Sequence, residues 1–133
     1  MILLDTNAFI WLDDGSDRLG DEALALIRAG WPTESVCVSA VTFWECAMLE
    51  RDGRVAFPKP VAAWRESSLD KGMREIALDG AIAAAAVSLD LPYKDPAGRF
   101  IVATALARDA LLVTADERVL AWSGPLRRQD ARL

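Results

Sequence analysis

The sequence predicts an α/β fold: a single domain over residues 1–133 in three layers, with helices on both faces of a central, mainly parallel sheet of four to five strands. Three observations predict it. Short apolar runs alternate along the chain with longer segments of helical period, the pattern of strands joined by right-handed helical crossovers. The first run, Met1-Ile2-Leu3-Leu4, ends abruptly on Asp5, as a buried strand does when it delivers a carboxylate to the crevice at the carboxyl edge of an open sheet. The chain is 133 residues long and 53% hydrophobic, enough for one buried core.

Taken in order, Met1–Leu4 form the first strand, and Thr6–Leu12 a short helix that begins at the carboxylate and breaks at Asp13-Asp14-Gly15-Ser16-Asp17. Gly20 to Ala29 reads as a helix with Ala23, Leu24, Leu26 and Ile27 inward, ended by Gly30-Trp31-Pro32. Val36-Cys37-Val38 is the second strand, and Ser39 caps a helix from Ala40 to Arg51. Its 3.6-residue period places Val41, Glu45, Met48 and Leu49 on one face. Glu45 is thus either a surface residue beside an apolar stripe or a carboxylate aimed at a partner, because charged residues are seldom buried unpaired. Asp52-Gly53-Arg54 is a turn; after Pro58-Lys59-Pro60, Val61 to Leu69 reads as an amphipathic helix carrying Trp64. Glu75–Leu78 is the third strand, and Asp79 caps the Ala-rich helix Gly80–Leu89. Asp95 as N-cap and Pro96 at the first helical position open the way into Phe100–Ala107, apolar on nearly every face and therefore a central, buried helix. Leu111–Thr114 is the fourth strand, Asp116 starts a short helix reaching Trp122, and the charged tail Leu126–Leu133 has room for an edge strand.

Composition narrows the chemistry. There is no histidine, which removes imidazole acid–base catalysis and imidazole metal ligation. Cys37 and Cys46 stand in apolar surroundings, as a reduced, buried pair does. No apolar run approaches the ~20 residues that span a bilayer, and the N-terminus lacks the basic region of a signal peptide, so a cytoplasmic location with no membrane attachment is expected. A net charge of −5 argues against purely electrostatic binding of nucleic acid, but not against a cleft whose cations reverse the local field.

Asp5 and Asp116 fall at or just past the carboxyl ends of strands, and Glu45 in the second turn of the helix after another. Parallel strands end on one edge, so the three can converge. Gathered carboxylates repel one another unless a cation is present. Mg²⁺ or Mn²⁺, both suited to hard oxygen ligands, would resolve the repulsion and could activate water against phosphorus without histidine. Singly, Asp95 and Asp116 read as helix caps, whereas Asp5 has no obvious structural role.

Four segments together resemble the signature blocks of PIN-domain proteins, and most closely the VapC toxins of bacterial toxin–antitoxin pairs: Leu4-Asp5-Thr6-Asn7, Ser39-Ala40-Val41-Thr42-Phe43-Trp44-Glu45, Asp95 through Ala105, and Leu112-Val113-Thr114-Ala115-Asp116. They occur in family order and span essentially the whole chain. The resemblance implies a Mg²⁺- or Mn²⁺-dependent endoribonuclease with a quartet of acids. Asp5 matches the first, Glu45 the second and Asp116 the fourth, while Thr6, Asn7 and Thr114 match polar residues beside the metal. The third block departs from the usual Asp-Pro-x-Asp-Arg, since the position of the third acid is Gly98. Asp95, one turn earlier, is the candidate to substitute, though its simpler role is the N-cap. Glycine costs roughly 1 kcal/mol against alanine inside a helix, somewhat less in its first turn, and the surroundings give no reason for it. That favours a disabling substitution over a variant of altered activity.

By the same resemblance, a VapB-type antitoxin would wrap the chain, a homodimer would form, and Arg99 and Lys94 would hold phosphates of the RNA substrate. Arg18 and Lys59 read as solvated surface charge. Two other classes remain open: a non-catalytic module that binds antitoxin or RNA, and a haloacid-dehalogenase-like phosphatase with Asp5 as nucleophile. The latter lacks its second acid, because Asn7 stands there, and lacks a partner lysine at a later strand end.

Overall fold

A computed structural model describes residues 1–133. Five strands form one sheet in the order β3-β2-β1-β4-β5: β1 (Ile2–Leu4), β2 (Val36–Ser39), β3 (Arg74–Ile76), β4 (Leu111–Thr114) and β5 (Arg128–Asp130). All four pairings are parallel, with β1 central, so Leu4 lies beside Val38 on one side and Val113 on the other. Chain order reverses at β1, and a reversal of this kind opens a crevice at the carboxyl ends of the strands flanking it. Asp5 stands at that opening.

Seven α-helices make the connections: α1 (Thr6–Asp14), α2 (Asp21–Gly30), α3 (Ala40–Arg51), α4 (Val61–Asp70), α5 (Gly80–Val87), α6 (Pro96–Arg108) and α7 (Glu117–Leu120). A single 3₁₀ turn, Trp31–Thr33, follows α2. Alternate strand residues face opposite ways, which divides the core in two. Leu4, Val36, Val38 and Val113 pack with Phe9, Ile27, Phe43 and Trp64 under α1 to α4. Leu3, Cys37 and Leu112 pack with Ile101, Val102, Ala105 and Val119 under α6 and α7. On the first side Phe9 stacks on Trp64 with ring centroids 4.8 Å apart, and Phe43 meets both rings edge-on. The small faces of the Ala-rich α5 let it pack on α6 through Ile82, Ala86 and Ala103, outside the second layer.

Several expectations shift. β3 begins at Arg74 and ends at Ile76, earlier than Glu75–Leu78, and α5 stops at Val87 where Ser88 takes the C-cap. In α3 the buried residues are Val41, Thr42, Phe43 and Cys46; Met48 and Leu49 are half-buried. A single-stripe reading fails there because α3 touches both cores, Val41 joining one and Phe43 and Cys46 the other. Cys37 and Cys46 are buried free thiols, and burial pushes them up to about 11 and about 12, away from reactive thiolate. No helix is long and apolar enough to cross a membrane.

Candidate active site

A crevice of about 210 Å³ opens at the carboxyl edge of the sheet, lined by Asp5, Thr6, Asn7, Glu45, Tyr93, Asp95, Gly98, Thr114 and Asp116 among others. Asp5 and Asp116 reach it from just past the ends of β1 and β4, Glu45 from the second turn of α3, and the third block from the start of α6. Asp5 does have a structural role as the N-cap of α1, where its Oδ1 accepts from the Ala8 amide at 2.8 Å. Its other oxygen accepts from the Thr114 hydroxyl at 2.5 Å, and the same hydroxyl accepts from the Asp116 amide. Burial raises the Asp5 carboxyl to about 6, with the Glu45 charge adding to it against the hydrogen bonds that lower it.

Glu45 leaves α3 half-buried and is held by the Thr6 hydroxyl at 2.5 Å. Thr6 lies 3.2 Å from the Thr42 hydroxyl. Thr6 has one proton and gives it to Glu45, so Thr42 donates to Thr6 and the relay runs Thr42, Thr6, Glu45. Burial also raises the Glu45 carboxyl, and Asp95 raises it further. Of the two readings of Glu45, the carboxylate aimed at a shared crevice is the one observed.

Asp116 lines the same crevice but is engaged elsewhere. Its Oδ1 caps α7 by accepting from the Arg118 amide, and the Arg118 guanidinium grips both its oxygens at 3.2 and 3.0 Å. Burial pushes Asp116 up, but those Arg118 bonds outweigh it and hold the carboxyl below its usual range. No three carboxylates stand close enough to share one ion in this arrangement. Asp5 and Glu45 remain, two hard-oxygen groups with raised proton affinity, and a hydrated Mg²⁺ is held by one or two carboxylates while keeping several waters. The residues therefore fit a small divalent cation on Asp5 and Glu45, with Asp116 joining only by leaving Arg118.

The third block differs from expectation. Asp95 occupies the N-cap position of α6 but makes no capping hydrogen bond; it is exposed and its carboxylate leans toward Gly98. Gly98 has a local reason: a Cβ there would lie 3.1 Å from the Tyr93 hydroxyl, from its ring and from Asp95 Oδ2. A side chain at 98 would press on Tyr93 and Asp95, which would have to give by a few tenths of an ångström.

Arg99 is not free to hold a phosphate. Its guanidinium donates to the carbonyls of Ala86, Val87, Leu89, Leu91 and Tyr93, which uses all five of its N–H groups. It fastens the segment between α5 and α6 to the start of α6. Lys94, by contrast, is exposed between two lining residues. Arg18 and Lys59 are exposed and do not line the crevice. Sequence reasoning missed Tyr93 and Arg118. Arg118 was signalled only by its place two residues after a helix-capping Asp, while nothing local marked Tyr93.

The fold and the acids at its edge define a class, and similarity to known proteins agrees: the chain belongs to the PIN domain family, matching it over residues 2–122. It is 30% identical over 125 residues to ribonuclease VapC22 of Mycobacterium tuberculosis (strain ATCC 25618 / H37Rv), covering 93% of each chain. Among solved structures it is similar to a toxin–antitoxin complex from Klebsiella pneumoniae, at TM-score 0.64, 23% identity and 95% coverage of both chains. FitAcB from Neisseria gonorrhoeae shares the fold at TM-score 0.67, 20% identity and 98% coverage of both.

Proposed function

We propose that this chain is the ribonuclease toxin of a toxin–antitoxin pair, an endoribonuclease that hydrolyses RNA phosphodiesters with Mg²⁺ or Mn²⁺. The observation that carries the reading is the meeting of Asp5 and Glu45 in one crevice, each with its proton affinity raised by burial and each gripped by a threonine hydroxyl. Two partly buried acids that repel one another are stabilised by a cation between them. Identity to a VapC ribonuclease over nearly the full chain supports the same reading.

When bound, the cation supplies a water acidic enough to attack phosphorus and charge to stabilise the displaced oxygen. The chain's own residues orient and hold. Thr114 fixes one Asp5 oxygen, and the Thr42–Thr6 relay fixes Glu45, so neither acid loses rotamer freedom on binding. Asn7 stands exposed on the rim as a hydrogen-bonding group for the strand, and Lys94 offers a positive charge to a phosphate. Asp5 and Glu45, which no arginine pairs, are the two acids left to hold the cation.

A net charge of −5 and an acidic crevice suit an antitoxin that reaches the site with a basic segment. The expected homodimer would use the apolar patch of Ala40, Val41, Trp44, Leu78 and Phe100, where Trp44 is half exposed.

Cleavage of a single-stranded RNA of mixed sequence tests the reading. The wild-type chain should cut with Mn²⁺ and stop with EDTA, and Asp5→Asn or Glu45→Gln should abolish cutting while the fold persists by circular dichroism. Binding of RNA or antitoxin with no cleavage under Mn²⁺ would instead make the chain a non-catalytic binding module.

A further inference from the structure

Tyr93 is 8% exposed, and its hydroxyl is the one buried side-chain polar atom without a hydrogen-bond partner. Such a group destabilises the fold while it stays unpaired. Its surroundings nevertheless hold it there. Arg99 fixes its carbonyl, the Arg118 guanidinium lies 3.9 Å from its ring centroid, and Gly98 leaves the space its ring and hydroxyl fill. Tyr93 lines the acidic crevice, and the charges of Asp116 and Asp95 act on its hydroxyl.

Resting on the ribonuclease reading, we infer that the Tyr93 hydroxyl is an RNA-binding group that donates a hydrogen bond to a non-bridging phosphate oxygen, at the position where Gly98 leaves the site without an acid. The chemistry selects the acceptor. A phenol is a donor near neutral pH, and a phosphate oxygen is an acceptor. A neutral donor also removes one negative charge from a crevice that must admit a polyanion. Gly98 and Tyr93 are therefore one exchange: the carboxylate is given up for a phosphate contact.

The test separates this role from a structural one. Binding of a fluorescein-labelled single-stranded RNA of mixed sequence is followed by anisotropy in EDTA, for the Asp5→Asn chain and for the same chain with Tyr93→Phe added. Loss of the hydroxyl should weaken binding about tenfold. Tyr93→Phe alone should leave the thermal midpoint equal to or above the wild type, because the free protein loses no bond. Gly98→Ala, which crowds the hydroxyl, should weaken RNA binding in the same direction. Equal affinity with and without the hydroxyl overturns the inference, as does a midpoint that falls by several degrees. If the wild type cuts RNA with Mn²⁺ and Tyr93→Phe changes nothing, only this inference fails; if the wild type neither cuts nor binds RNA, the ribonuclease reading fails with it.

Discussion

Asp5 serves two roles that conflict. As the cap of α1 it is held by the Ala8 amide, and as a crevice acid it is buried beside Glu45. In water such an acid ionises near 3.8, in the fold at about 6, so between those values the folded chain binds more protons than the unfolded one. Its contribution to stability is therefore full below the lower value, declines across the window, and above it leaves a deficit of about 3 kcal/mol. Asp5→Asn keeps a capping side chain and removes the charge. In EDTA at pH 7.5 it should raise the thermal midpoint, and at pH 3.5 it should not; Mn²⁺ should then stabilise the wild type and leave the variant unmoved. A lower midpoint at pH 7.5 would mean that the hydrogen bonds outweigh the burial. Thr114→Val removes the hydroxyl that both Asp5 and the Asp116 amide use. Urea unfolding should report a loss of roughly 2 kcal/mol, and Mn²⁺ affinity should fall as Asp5 loses its fixed orientation. At this scale the sequence spoke clearly where a residue's neighbours are local. Asp5, Glu45 and Asp116 do line one crevice, because parallel strands all end on one edge and α3 starts from it. Tyr93 beside Gly98 was not legible, because the ring comes from the loop held by Arg99, and their close approach is a matter of tertiary distance.

Among the elements, the connection from α5 to α6 depends most on a single side chain. Five backbone carbonyls from Ala86 to Tyr93 have one guanidinium in common. Lysine offers three donors from one point and no planar fork, so Arg99→Lys keeps the charge and strands at least two carbonyls. A loss of about 3 kcal/mol is expected, read as a fall of roughly 10 °C in the thermal midpoint. A phosphate-holding arginine would instead tolerate lysine in stability. α2 shows a similar dependence at the other end of the chain. Gly20 offers no side-chain cap, and the amides of Gly20 and Ala23 donate to the carbonyls of Ala131 and Leu133. A Cβ on Gly20 would collide with the Leu133 backbone. Gly20→Ala should lower the urea midpoint by the equivalent of roughly 1–3 kcal/mol, against near neutrality for Gly80→Ala, where nothing lies near. The existence and order of these elements were readable from period, caps and turn residues; Ser39 and Asp79 do cap α3 and α5. Which face of α3 points inward was not, since that helix serves two cores. Nor was the absence of a capping bond at Asp95, whose carboxylate turns to the crevice.

Over the whole molecule, fifteen basic residues are outnumbered by twenty acidic ones, and many of the arginines are already committed. Arg65 pairs with Glu75, Arg132 with Asp130 and Glu117, Arg118 with Asp116, and Arg99 with carbonyls. Around the crevice this leaves Lys94, with Arg118 available only when it releases Asp116. Such a surface gathers RNA only weakly by its own field, and on the ribonuclease reading a divalent cation would strengthen binding by reversing the sign at the site itself. Single-stranded binding loses about 0.7 in the logarithm of affinity per decade of salt for each phosphate neutralised. With one or two cations contributing, the slope at saturating Mn²⁺ should be about −0.7 to −1.4. Anisotropy titrations of a labelled RNA against monovalent salt measure it directly, and Lys94→Ala should flatten the slope by about 0.7. A slope several times steeper would place the RNA on basic surface away from the crevice, whereas the expected shallow one ties recognition to the cation, Lys94 and the crevice wall.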